Sequence, residues 1–144
     1  RSARIARGLD PEDHGSGFLD GVPVAMPALT RALKLQDKAA KVGFDWKDAK
    51  PVLDKIEEEI GELRAAIEQE EQAGIEDEFG DVMFALVNFG RHLKIEAETA
   101  LRGTNEKFRS RFHYVERALL ARGETLERAS LDEMEALWQE AKGK

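Results

Sequence analysis

A chain of 144 residues, 42% hydrophobic and 35% charged, is long enough to bury a core and reads as one main domain. Its net charge of -7 excludes a general binder of nucleic-acid polymers, which needs a basic face, but leaves room for a nucleotide held by a local basic patch and a metal. Having no cysteine, it has no disulfide, thiolate nucleophile or zinc–thiolate site; a reducing compartment is allowed, and the cytoplasm is the expected location.

Residues 1–23, with Gly8, Pro11, Gly15, Gly17, Gly21 and Pro23 and few apolar anchors, read as a flexible tail or inter-module linker ahead of a helical domain over 24–144. The chain opens on Arg1 rather than Met, so it is expected to be part of something longer. Pro27 suits the start of a first helix, whose stripe is Leu29, Ala32, Leu33, Gln36 and Ala40; Gly43 ends it, and Phe44-Asp45-Trp46 forms an aromatic connector. The pattern predicts a second helix from a cap at Asp48 to about Gln72, with Leu53, Ile56, Ile60, Leu63 and Ile67 as its stripe and Gly74 as its breaker.

A third helix is expected from about Ile75. It is apolar on nearly every side through Val82-Met83-Phe84-Ala85-Leu86-Val87, and so is expected to be the most buried element. A fourth helix covers roughly 95–122, with Leu101, Phe108, Phe112, Val115 and Leu119 in register and Gly123 just past its end. Ser130-Leu131-Asp132-Glu133 is a capping-box pattern opening a last helix that carries Met134 and Trp138. No segment alternates with period two. The fold class is all-α, an antiparallel four-helix-type bundle with an additional C-terminal helix. The longest apolar run, Val82 to Phe89, is too short to span a bilayer, so no membrane is expected as a partner.

Glu58-Glu59-Ile60-Gly61-Glu62 on the second helix and Glu78-Phe79-Gly80-Asp81 on the third carry the chemistry. A spacing of three puts Glu59 beside Glu62 and Glu78 beside Asp81. If the two helices pack antiparallel, four carboxylates converge, and two of them about 5 Å apart repel by roughly 3 kcal/mol at an effective dielectric near 20. The bland alternative is a solvated acidic face. Against it, the segment after Asp81 is almost wholly apolar, and acids on a buried helix must be paired or bind metal. Oxygen-only donors with no histidine at matching spacing favour Mg²⁺, with Mn²⁺ as a substitute. Mg²⁺ shares its coordination with water and phosphate, which points to a phosphate-handling site.

Lys107 and Arg111, one turn apart on the fourth helix, suit either a phosphate or a plain salt-bridged surface. Lys55, four residues before Glu59, balances the carboxylates or reaches phosphate. Trp138 packs in a core or stacks on a base, and Asn88 and Asn105 read a base edge or satisfy backbone. No phosphate-cradling glycine loop is present.

Together with Pro27-Ala28-Leu29, Val42-Gly43-Phe44-Asp45-Trp46, Gly80-Asp81-Val82-Met83-Phe84 and Asn105-Glu106-Lys107-Phe108, the acidic motifs resemble the MazG family of all-α nucleoside triphosphate pyrophosphohydrolases, over roughly 24–142. The resemblance implies that Glu59, Glu62, Glu78 and Asp81 hold Mg²⁺. It implies that Lys55, Glu58, Lys107, Arg111 and Trp138 contact the nucleotide, and that the protein is a homodimer. The activity expected is Mg²⁺-dependent hydrolysis of nucleoside or deoxynucleoside triphosphates to monophosphate and pyrophosphate, with Glu58 and Glu59 as catalytic residues. A related all-α hydrolase restricted to dUTP, dCTP or phosphoribosyl-ATP is one alternative; a non-catalytic acidic interaction module is another.

Overall fold

The computed structural model describes residues 17–144. Of the linker expected over residues 1–23, residues 1–16 lie outside that range. Among the described residues there are five helices and no strand: α1 (Ala28–Ala40), α2 (Ala49–Gln69), α3 (Gln72–His92), α4 (Ala97–Ala121) and α5 (Leu131–Lys142). The all-α expectation is met. The chain divides into two compact units within the first turn of α4, one ending at Glu98 and the other covering Thr99–Lys144.

In the first unit, α2 and α3 form a tight helical hairpin, and α1 packs on α3. Val52, Ile56, Ala85 and Val87 are its buried apolar side chains on these helices. Two polar side chains tie α1 to α3: Gln36 Nε2 donates to the Phe84 carbonyl at 3.0 Å, and Arg91 meets Asp37 at 3.5 Å. The loop from α1 to α2 is pinned at Asp45, which accepts from Arg91 at 2.5 Å and contacts His92 Nε2 at 3.0 Å. Gly43, at φ +89°, supplies the left-handed residue that closes α1, with Phe44 N–H returning to the Ala39 carbonyl.

The second unit is built on Val115 and Leu119 of α4 and Leu137 of α5, with Ala118, Leu126, Met134 and Trp138 against them. Gly123 closes α4 as Gly43 closes α1. Ser130 Oγ accepts from Glu133 N–H at 3.1 Å, so the expected cap opens α5.

Four expectations are corrected. Gly74 does not break α2; the helix ends earlier, at Glu70 in the left-handed region (φ 52°), and Gly74 lies in the first turn of α3. Of the expected α2 stripe Ile56 is buried, but Leu53, Ile60 and Ile67 are exposed, and the inward face is Val52, Ile56 and Glu59. α3 contacts both other helices but is not buried on all sides: Phe79, Met83 and Leu86, at spacings of four and three, form an exposed apolar strip. Leu101, Phe108 and Phe112 of α4 are likewise exposed. These helices each carry two apolar faces, and hydrophobicity alone cannot say which one the chain itself covers.

The second unit's core gives a stability prediction. Leu119→Ala, at a fully buried position, is expected to cost about 2–5 kcal/mol in denaturant unfolding. Leu131→Ala, at a residue 75% exposed, should stay within about 0.5 kcal/mol of the parent.

Candidate metal and phosphate site

The α2–α3 hairpin brings the two acidic motifs together. One carboxylate oxygen each from Glu59, Glu78 and Asp81 lies within 4.8 Å of the other two. Glu62 lies close enough for its charge to act on Glu78. Two helices antiparallel across a two-residue turn place the C-terminal part of α2 opposite the N-terminal part of α3, and that register aligns Glu59 and Glu62 with Glu78 and Asp81.

The electrostatics carry the strain of this convergence. Desolvation and the charges of Glu62 and Asp81 push Glu78 from an ordinary 4.5 up to about 7. Glu59 is also raised: burial outweighs the relief it gains from Lys55, with Glu62 and Asp81 adding to the rise. Glu59 is 9% exposed, and its two oxygens differ. Oε2 meets Lys55 Nζ at 3.4 Å, whereas Oε1 is buried with no hydrogen-bond partner among the described residues. A buried, partnerless carboxylate oxygen on a residue that shares its site with two more carboxylates is unfavourable unless a cation accompanies it. The donor set is all oxygen and its spacing is compact, which fits a hard divalent ion.

Lys55 also reaches Glu58 at 3.6 Å, and the contacts with Glu59 and Glu58 raise its own pKa. Glu58 is exposed on the rim beside Glu59. Six of the nine residues singled out from the sequence, Lys55, Glu58, Glu59, Glu62, Glu78 and Asp81, therefore lie together on the hairpin. Lys107, Arg111 and Trp138 belong to the second unit. There the Trp138 ring lies against Phe108, with centroids 5.1 Å apart.

A cavity of about 610 Å³ opens next to the carboxylates, with Lys55, Glu59 and Asp81 in its wall. Its volume falls in the range of small-molecule sites. The rest of the wall includes residues that the sequence reading did not assign to a site: Gln36, Phe44, Asp45, Trp46 and Arg91. The available signals were an amide on the otherwise apolar stripe of α1 and two aromatics in a short connector.

Residues 48–115 match a family described as the MazG nucleotide pyrophosphohydrolase domain. The chain is 48% identical over 126 residues to a nucleoside triphosphate pyrophosphohydrolase of Escherichia coli (strain K12), covering 86% of this chain and 48% of that protein. It is 42% identical over 118 residues to a nucleoside triphosphate pyrophosphohydrolase/pyrophosphatase MazG of Thermotoga maritima, covering 82% of this chain and 45% of that protein. It is also 48% identical over 128 residues to an uncharacterized Bacillus subtilis protein, YabN, covering 88% of this chain and 26% of that protein. The chain thus spans about half the length of the first of these relatives.

The raised Glu78 sets a pH dependence. An acid whose folded pKa lies above its unfolded value binds protons more tightly when folded, so stability declines as pH rises through the interval from about 4.5 to about 7. Thermal melts of the metal-free protein are expected to show that decline, and its removal in Glu78→Gln. Millimolar Mg²⁺ should raise Tm more at pH 8 than at pH 5.

Proposed function

We propose, from the match of residues 48–115 to the MazG nucleotide pyrophosphohydrolase domain and the likeness to nucleoside triphosphate pyrophosphohydrolases, that this chain hydrolyses nucleoside triphosphates to monophosphate and pyrophosphate. The observation that carries the reading is the partnerless Glu59 Oε1 within a triad of carboxylates on facing helices. Glu59, Glu78 and Asp81, with Glu62 beside them, would hold Mg²⁺, or Mn²⁺ in its place. When bound, the ion neutralises the carboxylates and polarises phosphate oxygens and water.

The protein's own groups then divide the work. Lys55 holds Glu59 Oε2 and so fixes which oxygen is left for the cation. The same ammonium tethers Glu58 on the exposed rim, where its carboxylate can orient the attacking water and accept its proton. Water oxygen bonds to the α-phosphorus, the bond from that phosphorus to the bridging oxygen breaks, and pyrophosphate leaves. The family resemblance adds Lys107, Arg111 and Trp138 as nucleotide contacts, the two cations serving the leaving pyrophosphate. The proposed setting is the cytoplasm, where these substrates are made and used. No helix among the described residues is long and apolar enough to cross a membrane.

A homodimer is part of the proposal. The exposed strips Leu53, Ile60 and Ile67 on α2 and Phe79, Met83 and Leu86 on α3 are apolar surface of the kind a second copy covers. Sedimentation is expected to give twice the 16.1 kDa chain mass, and Ile60→Lys combined with Met83→Lys to give the monomer.

Incubation with each triphosphate and Mg²⁺ should yield monophosphate and pyrophosphate; diphosphate and orthophosphate would contradict the reading. Glu59→Gln and Asp81→Asn are each expected to lose at least about a hundredfold in kcat with helical content retained by circular dichroism. Near-normal turnover in either variant would overturn the metal assignment.

A further inference from the structure

We infer that the cavity beside the carboxylates seats the nucleobase, with Gln36 and Asn88 reading its edge and Phe44 and Trp46 covering its face. The inference rests on the hydrolase reading, because the shared wall at Lys55, Glu59 and Asp81 puts the phosphate end of the ligand at the acidic triad. The remaining wall is mostly apolar, with Leu19, Leu35 and Ala39 among its side chains. A flat aromatic group attached to a polyphosphate has the matching division of character.

Two amides stand in that wall with their orientations fixed by chemistry. Gln36 Nε2 donates to the Phe84 carbonyl, which only accepts, so its Oε1 is the end left over. Gln36 is 7% exposed, and this Oε1 is buried without a partner among the described residues. Asn88 is also buried. Its Oδ1 accepts from Arg91 Nε at 3.1 Å, and an arginine only donates, so Nδ2 is the end left over. One unspent acceptor and one unspent donor therefore line the same cavity. Of the two, Gln36 Oε1 is buried without a partner and needs one. A nucleobase edge presents an N–H donor next to an acceptor, as adenine does with its N6 amino group and ring nitrogen.

The aromatic cover has its own support. Phe44 is 81% exposed and Trp46 43% exposed, in a loop that is nonetheless anchored. Asp45 between them is held by Arg91 and His92, and the same Arg91 orients Asn88. Exposed rings on a pinned loop beside an apolar cavity are placed to stack on a base. Every natural base offers a donor beside an acceptor, so this pocket accepts several bases and disfavours polyphosphates that lack one.

Calorimetric titration of the full chain with Mg²⁺ tests this without turnover, using AMP, purine riboside 5′-monophosphate, which lacks the N6 amino group, and ribose 5-phosphate. AMP is expected to bind at least about tenfold tighter than the purine riboside analogue, and both tighter than ribose 5-phosphate. Gln36→Met should close the gap between the first two. Phe44→Ala, at an exposed position with no folding role, should weaken both base-bearing ligands by roughly fivefold or more and leave their ratio unchanged. Equal binding of AMP and ribose 5-phosphate, or an unchanged gap in Gln36→Met, would overturn the inference. If Gln36→Met does not fold, the parent's three-ligand comparison and Phe44→Ala decide it. Base-dependent binding without hydrolysis would sink the hydrolase reading instead, and hydrolysis without base-dependent binding would sink this one.

Discussion

The mutual repulsion of carboxylates on α2 and α3 is the constraint on which the rest of the first unit turns. Helix packing across the two-residue link brings Glu59, Glu78 and Asp81 to within 4.8 Å, at an electrostatic cost the apolar contacts of Val52, Ile56 and Val87 have to outweigh. The cost shows in Glu78, pushed up to about 7, and in Glu59, raised although Lys55 lies at its side. A fold that only needed to be stable would put neutral side chains there. Like charges, one buried at Glu59, one half-buried at Glu78 and one exposed at Asp81, held against their own repulsion mark a place where something positive is expected.

Lys55 is too little to be that partner. It meets one oxygen of Glu59 and one of Glu58, both at distances beyond an ideal charge-assisted hydrogen bond, and leaves Glu59 Oε1 untouched. Its place is to orient the carboxylates. The asymmetry between the two oxygens of Glu59 links helix geometry to chemistry, because it separates the atom that is structurally committed from the atom open to a ligand.

Much of this was legible in the sequence, for identifiable reasons. Spacings of three put Glu59 with Glu62 and Glu78 with Asp81, and helical periodicity is strong enough to read without a structure. Gly43 and Gly123 announced the ends of α1 and α4 because a left-handed residue there favours glycine. Glu70 gave no such signal: glutamate seldom adopts that conformation, so the end of α2 was placed too late and assigned to Gly74. The choice between the Val52/Ile56 and Leu53/Ile60 faces of α2 was equally invisible, since both are apolar and only tertiary packing selects one. The cavity depends on contacts between residues 46–48 positions apart, such as Gln36 with Phe84 and Asp45 with Arg91, and no local pattern encodes these.

The two faces of α2 and α3 thus carry different duties. The inner face builds the acidic triad and the adjoining cavity, and the outer face holds exposed Ile60, Phe79 and Leu86. The most direct measurement of the central claim is the anomalous scattering of Mn²⁺ in crystals of the protein. The account predicts a peak bounded by carboxylate oxygens of Glu59, Glu78 and Asp81, at about 2.1 Å from each. Manganese peaks confined to other surfaces, with these three side chains turned apart into solvent, would contradict it.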